Sequence, residues 1–425
     1  MRNTVGIQRK DAIACRCSPE MRRNEEADWL DSPPKQMNST CDVLVAGGGV
    51  AGVPAAVAAS RAGARTVLVE RENFLGGTGV TALHRYICGL YANGSSEPTA
   101  TLNAGLAREV VVRLRALAPS SHPLPMGRGW GFPFEPAHLR TVYESLAEGE
   151  AHLTRRICST VQEVERREDG SIASVTVQTP EGENIFRPRA VIDATGSGAV
   201  LRLAGAPYAP APDPNRQPGG CTLHLVGIEG DRALLAIKIA WHLGRLPAVE
   251  AVGLPAFGGF AAGCDEGEGF CRFSFSQEVA VHGPQVIQQR LEQVHAVLAA
   301  HVPELAHSRI IGRFHLLDRD GVRLVGDWEL DEASILEGRK FPNSVARNAW
   351  PMESWSSEGG PVYAYPPDHD YYGIPRRCLH SSAVPNLFAT GRCISASRPA
   401  LSSTRPMGTC IALGEAAGKL AAIYR

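Results

Sequence analysis

Two short apolar runs separated by small residues stand out in the first quarter of the chain. Residues 42–46 read DVLVA, and residues 66–69 form a second apolar run. Unbroken apolar runs of this length are typical of strands buried on both faces of a parallel sheet. Residues 50–62, which are rich in alanine and valine, predict a helix that packs on that sheet. The pattern therefore predicts a strand–helix–strand unit over residues 42–71.

Three glycines follow the first run with the spacing G-x-G-x-x-G, at Gly47, Gly49 and Gly52. The first allows a tight turn, the second lets the backbone approach a pyrophosphate, and the third lets the helix pack closely on the sheet. The helix N-terminus presents N–H groups and a positive dipole end to phosphates. Glu70 follows at close to the spacing of about 20 residues expected for an acid that binds a ribose diol. Together these features predict a dinucleotide site.

The pattern continues with helices and short strands up to about residue 192. Apolar residues at helical spacing predict a helix within 102–118, and a second one runs from Pro136 to Glu148. Residues 151–192 read as short strands, and Asp169-Gly170 is typical of a hairpin turn. Alternation of these elements with the first unit predicts an α/β fold.

A Pro- and Gly-rich stretch at 206–220 marks the exit to a second domain. The elements predicted there are a strand at 221–228, a helix at 231–244, a strand at 270–276 and a long helix at 284–300. Residues 341–373 are rich in aromatics, proline and glycine, which favours an ordered loop lining a pocket over a regular element.

Composition narrows the possible partners. The 425 residues include 43 basic and 44 acidic ones, so there is no basic excess to neutralise nucleic-acid phosphates. No apolar run approaches the roughly 20 residues that span a membrane. The 11 cysteines contain no C-x-x-C pair, which predicts reduced thiols in the cytoplasm and no metal site.

Three later segments decide which dinucleotide is bound. Arg71 follows the ribose acid, and the glycine pair Gly76-Gly77 with Thr78 comes soon after it. Residues 190–198 read AVIDATGSG, a strand that ends in a short ATG turn. Residues 386–398 read NLFATGRCISASR, a strand followed by a loop. Flavoproteins have such turns beside FAD, so these segments indicate FAD over NAD.

With the opening motif, these segments resemble the FAD-dependent oxidoreductase family related to the fumarate reductase and succinate dehydrogenase flavoproteins. More closely, the chain resembles the group classed as heterodisulfide reductase A-like proteins. The resemblance runs from about residue 40 to 424 and includes Asp327 and Leu330 in GDWELDEASIL, FPNSVARNAWPMESW at 341–355, and SSTRPMGTCIALGEAAGKLAA at 402–422. It implies FAD held by Gly47, Gly49, Val50, Ala51, Gly52, Glu70, Arg71, Gly76, Gly77, Thr78, Ala194, Thr195, Gly196, Gly391, Arg392, Met407, Gly408 and Thr409.

The chain departs from the related sequences at two places. These often have a histidine a few positions after the acid that Glu353 matches, whereas this chain has Trp355 and Ser356. Heterodisulfide reductases of the A type bind iron–sulfur clusters through cysteine arrays that are missing here, so no cluster is expected. A second G-x-G-x-x-G is also missing, which argues against a built-in nicotinamide site.

The resemblance implies a Rossmann-like FAD-binding domain that is discontinuous in the sequence. We expect it to comprise residues 40–205 and 376–425, with a mixed α+β substrate domain at 206–375. Residues 1–39 mix charged residues with prolines and carry no periodic apolar stripe, so they are expected to be a disordered N-terminal extension. The start of the ordered chain near Met37 is equally compatible with a mis-assigned translation start.

Three side chains are candidates for the chemistry. Arg405 precedes a small-residue helix that, by resemblance, points at the flavin, so it would bind the flavin or a substrate carboxylate; the alternative is a structural salt bridge. His84 would be a base or a covalent flavin link, or else a buried, hydrogen-bonded histidine. Glu353 would be a proton acceptor whose pKa is raised by burial, or else an N-cap or ion pair.

The predicted function is hydride transfer between a small organic substrate and flavin N5, with oxygen or a separate redox protein as a further electron partner. Two alternatives keep the flavin. One is an electron-transfer protein that works with a partner chain, and the other is a non-catalytic FAD-binding module.

Overall fold

The structure is a computed structural model that describes residues 37–211, 217, 219–232, 234–243, 258–263, 265–275, 284–312, 317–356 and 360–424. Its strands are β1 (Met37–Ala46), β2 (Thr66–Val69), β3 (Tyr86–Cys88), β4 (Leu124–Met126), β5 (Gly129–Pro133), β6 (Leu153–Arg156), β7 (Thr160–Arg166), β8 (Ile172–Thr179), β9 (Gly182–Asp193), β10 (Tyr208–Ala209), β11 (Gly219–Val226), β12 (Gly258–Ala262), β13 (Gly269–Phe275), β14 (Arg309–Ile311), β15 (Arg323–Leu324), β16 (Ser344–Asn348), β17 (Met352–Ser356), β18 (Gly360–Ala364), β19 (Tyr372–Pro375) and β20 (Leu387–Ala389). Its α-helices are α1 (Gly52–Arg61), α2 (Thr78–Thr81), α3 (Leu106–Leu117), α4 (Pro136–Glu148), α5 (Ala199–Leu203), α6 (Leu235–Leu243), α7 (Pro284–His301), α8 (Glu332–Leu336), α9 (Arg398–Thr404) and α10 (Met407–Ala422).

The largest sheet has seven strands in the order β6–β2–β1–β9–β8–β7, with β20 also paired to β9. The strands β6, β2, β1, β9 and β20 are parallel, whereas β7 and β8 extend the sheet as antiparallel strands. Val43, Leu44 and Val45 in the middle of β1 are fully buried, which explains its unbroken apolar run. The predicted α/β class with a parallel sheet is therefore confirmed.

The first strand begins earlier than predicted. Residues 37–39 were expected to belong to the disordered extension, and this is wrong because Met37, Asn38 and Ser39 pair in parallel with residues 184–186 of β9. The start of β1 was not predicted because backbone pairing with a long partner strand does not require apolar side chains, so these residues carry no apolar pattern. The remainder of the predicted extension, residues 1–36, lies outside the described residues.

Helix α1 packs against the C-terminal helix α10 at very short range. A Cβ atom at Gly414 would lie 2.1 Å from the carbonyl oxygen of Ala51, and one at Gly418 would lie 2.1 Å from that of Ala55. The two helices therefore touch through backbone, and glycine is required at both positions because any side chain would push them apart. This contact places the start of α1 beside Gly414 in the middle of α10, although the two helices are far apart in the sequence.

Replacing Gly414 with Ala is expected to destabilise the protein by about 1–3 kcal/mol, because the new methyl group meets rigid backbone. Equilibrium unfolding in urea measures the change. Gly149→Ala is the matched control, since its Cβ would lie 3.5 Å from the nearest atom, an ordinary van der Waals distance. An unchanged midpoint for Gly414→Ala would contradict the close packing of α1 and α10.

A second sheet with four antiparallel strands, in the order β12–β13–β11–β14, is built from residues 219–311. It shares a hydrophobic cluster with α6 and α7, to which Leu223, Ile239, Phe273 and Leu291 contribute. The predicted strands at 221–228 and 270–276 and the helices at 231–244 and 284–300 all occur here, with bounds shifted by a few residues. The boundaries drawn at 205 and 376 stay a prediction.

The prediction of an irregular loop over 341–373 is wrong. This stretch contains β16, β17 and β18 and the start of β19, which form the antiparallel pairs β16–β19 and β17–β18. Most of its prolines lie outside these short strands, for example Pro351 before β17, and Pro361 lies near the start of β18, so the Pro-rich composition did not reveal the strands. Short paired strands therefore stand where a loop was expected.

None of the helices in the described part of the chain combines the length and apolar character needed to cross a bilayer.

Candidate functional site

A cavity of about 580 Å³ opens where the carboxyl ends of four parallel strands meet the N-terminus of α1. Its lining includes the last residues of β1 and β2, Ala46 and Val69, and the residues directly after β9 and β20, Ala194 and Thr390. Ligands of open α/β sheets bind at this edge, because the connections diverge there and leave a crevice. The position of the cavity therefore agrees with the predicted dinucleotide site.

The G-x-G-x-x-G turn is shaped by contacts that only glycine permits. At Gly47, with φ of +100°, a Cβ would lie 2.6 Å from the carbonyl oxygen of Ala194, and at Gly52 it would lie 1.7 Å from that of Gly47. Gly49 differs, because its Cβ would meet nothing closer than Gly77 Cα at 3.9 Å. Gly49 lines the cavity, so its missing side chain leaves space for a ligand rather than for protein packing.

Glu70 lies at the end of β2 with 6% of its surface exposed, and it lines the same cavity. One carboxylate oxygen accepts a hydrogen bond from the Gly48 N–H at 2.6 Å, and the other accepts one from the Glu72 N–H at 2.8 Å. Burial raises the pKa of Glu70 above its ordinary value, and the two N–H donors oppose that shift. The carboxylate is thereby held at a fixed position beside the glycine turn.

As the pH is lowered, the affinity for FAD is expected to fall at a higher pH than it would if Glu70 were an exposed glutamate. Only ionised Glu70 accepts two hydrogen bonds from a ribose diol, and its pKa lies above 4.5. Protonation itself favours the folded state, because the folded pKa exceeds the unfolded one, so the loss of FAD precedes unfolding. Quenching of FAD fluorescence between pH 5 and 8 measures this dependence. Glu70→Gln should bind about tenfold more weakly at pH 7 and lose the pH dependence; a slope that persists would exclude Glu70 as its source.

The ATG turn is organised by a buried carboxylate. Asp193, with no exposed surface, accepts hydrogen bonds from the Thr195 N–H at 3.0 Å, the Thr195 hydroxyl at 2.7 Å and the Leu201 N–H at 2.9 Å. Burial raises the pKa of Asp193. Arg392 donates to the Gly196 carbonyl at 3.0 Å and to the Asp318 carbonyl, so it joins this turn to the second half of the chain.

The cavity gathers most of the residues predicted to hold the cofactor. Those that line it are Gly47, Gly49, Val50, Ala51, Glu70, Arg71, Gly77, Thr78, Ala194, Thr195, Gly196, Gly391, Arg392 and Met407. Four predicted residues, Gly52, Gly76, Gly408 and Thr409, are not among the lining residues. Gly408 packs against Gly89, since its Cβ would lie 2.6 Å from the Gly89 carbonyl carbon, and Thr409 is fully buried.

All three predicted catalytic side chains line the same cavity, although they come from distant parts of the sequence. Glu353 lies in β17, opposite Tyr363, so the alternative of a helix N-cap is wrong. One carboxylate oxygen of Glu353 accepts a hydrogen bond from the Trp355 indole N–H at 2.6 Å. Its backbone N–H donates to the Ser402 hydroxyl at 2.9 Å. These contacts hold the side chain toward the cavity.

Arg405 directly follows α9, and its guanidinium is little exposed to solvent. It donates to the backbone carbonyls of Arg319 at 2.6 Å and Glu353 at 3.2 Å. Burial is the largest cause of the lowered pKa of Arg405, and the charge of Glu353 opposes it. The predicted alternative of a salt bridge has no counterpart among the ion pairs of the described residues, because the partners of this guanidinium are carbonyl groups.

His84 lies between α2 and β3, lines the cavity and is partly exposed. The alternative of a buried, hydrogen-bonded histidine stays a prediction beside the functional one. The following residues Arg85, Tyr86 and Cys88 also line the cavity.

Further lining residues come from the second part of the chain and were not found by sequence reasoning. They are Arg272, Leu317, Asp318, Arg319, Trp350, Trp355 and Tyr363. Arg319 is only 3% exposed and lies 3.8 Å from the centroid of the Trp355 ring. No motif marks these residues, since each belongs to a short strand or turn whose side-chain direction depends on its pairing. The aromatic content of 341–373 was the one signal, and the expected pocket lining does occur there.

The residues present fit FAD. The open face of Gly49 leaves room for a pyrophosphate, and Glu70 offers a fixed carboxylate for a ribose. Thr390 lines the cavity, and its hydroxyl is buried without a hydrogen-bond partner in the described part of the structure, which suits a polar group of a bound cofactor. Among the described residues no group of His, Cys, Asp or Glu side chains is arranged to hold a metal ion.

The sequence profile of the family described as FAD dependent oxidoreductase matches residues 42–255 and 274–425. The chain therefore belongs to the FAD-dependent oxidoreductase family, which confirms the predicted enzyme class and cofactor. The closer resemblance to heterodisulfide reductase A-like proteins stays a prediction. A search of curated proteins finds none that matches this chain.

Three solved structures illustrate the similarity. A geranylgeranyl bacteriochlorophyll reductase-like protein from Thermoplasma acidophilum is 14% identical with a TM-score of 0.43, over 91% of this chain and 77% of that one. Anhydrotetracycline hydroxylase from Streptomyces rimosus is 16% identical with a TM-score of 0.45, over 68% and 55%. p-Nitrophenol 4-monooxygenase from Pseudomonas putida is 12% identical with a TM-score of 0.41, over 68% and 71%.

Proposed function

We propose that this oxidoreductase transfers a hydride between a small organic substrate and FAD, with proton transfer by residues of the cavity. The observation that carries the proposal is the convergence of His84, Glu353 and Arg405 on the cavity that the glycine turn and Glu70 also line. Bound FAD would supply the acceptor or donor of the hydride at N5. The remaining tasks, to hold the substrate and to move its proton, belong to the side chains.

Glu353 is the proposed proton acceptor. The Trp355 indole N–H holds one carboxylate oxygen, and the second oxygen makes no hydrogen bond to any described residue. A carboxylate anchored at one oxygen keeps the other available to a substrate hydroxyl or amine within hydrogen-bond reach. Oxidation of the substrate would deliver its proton to Glu353, and the reverse reaction would return it.

Arg405 and His84 are proposed to support this step. Arg405 binds the backbone carbonyl of Glu353 and so fixes the strand that carries the proton acceptor, while its charge favours anionic groups in the cavity. His84 also lines the cavity, and because an imidazole can accept a proton we propose it as the alternative base.

Anaerobic reduction of the bound flavin tests the proposal. The purified protein should be yellow or become so with FAD, and one class among alcohols, amines, hydroxy acids and sugars should bleach it. A protein that cannot be reconstituted with FAD would overturn the proposal. Acid precipitation tests whether the flavin is bound covalently, as a link to His84 requires, because a covalent flavin stays in the pellet and a non-covalent one is released.

The same measurement separates the two alternatives. Flavin that is reduced by a partner redox protein and by no small donor would indicate an electron-transfer protein. Stoichiometric FAD that no donor reduces would indicate a non-catalytic binding module.

A further inference from the structure

Arginine side chains accumulate at the end of the cavity that is built by the second part of the chain. Arg272, Arg319 and Arg405 all line it, whereas Glu353 is the carboxylate whose charge reaches both Arg319 and Arg405. Asp318 also lines the cavity, so three guanidinium groups stand against the carboxylates of Glu353 and Asp318. This end of the cavity therefore carries more positive than negative charge.

The three guanidinium groups differ in how they are held. Arg319 donates to the Gly219 carbonyl and the Ser274 hydroxyl, both at 2.9 Å, and stacks on Trp355. Arg405 donates to two backbone carbonyls. Neutral partners of this kind fix the position of a guanidinium in the cavity wall. Burial, with added repulsion from Arg272 and Arg405, lowers the pKa of Arg319 to about 8.

Arg272 differs from the other two because it has no hydrogen bond or ion pair to any described residue. It lies in β13, where Cys271 and Phe273 point into the hydrophobic cluster of the second sheet and Arg272 points to the opposite face and into the cavity. Its charge acts on Cys88, Arg319 and Tyr363, so it lies among the residues of this end. A partly buried cation that protein leaves unpaired is costly unless a ligand pairs with it.

From this arrangement we infer that the substrate is a carboxylic acid, and that Arg272 binds its carboxylate. The inference rests on the proposed function and names the substrate class of the same site. A carboxylate beside Arg272 would offset the excess positive charge and gain charge-assisted hydrogen bonds, which guanidinium forms in a bidentate manner. The apolar lining by Met126, Trp350 and Tyr363 would surround the remainder of the acid.

Ligand binding to the FAD-loaded protein tests the inference without turnover. Acetate, lactate, benzoate and the corresponding amides are each titrated into the FAD-loaded protein. Binding is measured from the change in the flavin absorbance spectrum and by calorimetry. At least one acid is expected to bind at least about tenfold more tightly than its amide, because one charge-assisted hydrogen bond contributes about that difference in affinity. Arg272→Gln should remove this preference, and Arg272→Lys should restore part of it.

Arg108→Gln is the matched control, since Arg108 is exposed on α3 outside the cavity, and it should keep the preference for acids. Equal binding of acids and amides by the unaltered protein would overturn the inference, as would an unchanged preference in Arg272→Gln. If Arg272→Gln loses FAD and Arg272→Lys binds acids no better than amides, the charge serves the cofactor and the inference fails. Failure of the proposed function would appear separately, as flavin that no donor bleaches in the anaerobic screen.

Discussion

Glu353→Gln is expected to lower the rate of substrate-driven flavin reduction by about 10²–10⁴-fold, the usual contribution of a positioned proton acceptor. The amide keeps the size of the side chain and a carbonyl oxygen for the Trp355 indole N–H, but it has no basic oxygen to accept a proton. FAD binding should be unchanged, because the hydrogen bonds that Glu353 makes within the described part of the chain involve Trp355, Ser402 and Arg405, and none involves the glycine turn. Rapid-mixing absorbance measurements under anaerobic conditions give the rate.

Two further variants separate proton transfer from positioning. Trp355→Phe removes the indole N–H that holds the Glu353 carboxylate at 2.6 Å, so a smaller loss of rate with a retained pH dependence is expected. Glu337→Gln is the matched control, since Glu337 is exposed after α8 and should have no effect. A Glu353→Gln rate within a few-fold of the unaltered rate would transfer the role to His84.

Gly49→Ala should reduce the affinity for FAD by about tenfold or more while the protein stays folded. The added methyl group meets no protein atom closer than 3.9 Å, so the fold has no reason to change. It enters the cavity at the position where the backbone is predicted to touch the pyrophosphate, and a displaced phosphate loses its charge-assisted hydrogen bonds. Retention of FAD on a desalting column and titration of FAD fluorescence measure the effect.

Two other glycine variants show whether a loss of FAD in Gly49→Ala comes from the added methyl group in the cavity and not from a general loss of stability. Gly52→Ala places its Cβ 1.7 Å from the Gly47 carbonyl oxygen, so this variant should lose stability as well as FAD. Gly149→Ala lies on the surface after α4 and should affect neither property. Full retention of FAD by Gly49→Ala would show that the cofactor does not approach the backbone at this turn.

The cofactor could be predicted from the sequence because the determinants of a dinucleotide-binding unit are local. A strand, a glycine turn, a helix and an acid must follow one another at short spacing to build a phosphate-binding corner, so the pattern is written in consecutive residues. Gly47, Gly49 and Glu70 all line the cavity as this pattern implies. The ATG turn after β9 was found for the same reason, since Asp193 organises residues only a few positions away.

Predictions failed where the structure depends on pairing between distant segments. The beginning of β1 at Met37 is set by its partner β9, and the strands between 344 and 375 exist only as pairs with each other. The packing of Gly408 against Gly89 also joins distant segments, and the expected contact of Gly408 and Thr409 with the cofactor stays a prediction. None of these contacts has a period or a spacing that can be seen in the sequence.

The sequence by itself therefore determined the α/β fold, the family and the cofactor, because close backbone approach, phosphate binding and buried parallel strands impose residue types at fixed local spacing. Only the tertiary structure decided which side chains face the substrate end. There, Arg272 from β13, Glu353 from β17 and Arg405 after α9 meet in one cavity. The charges of Arg272 and Glu353 both act on Arg405, although Arg272 lies more than a hundred residues before it, and such long-range electrostatics follows from packing alone.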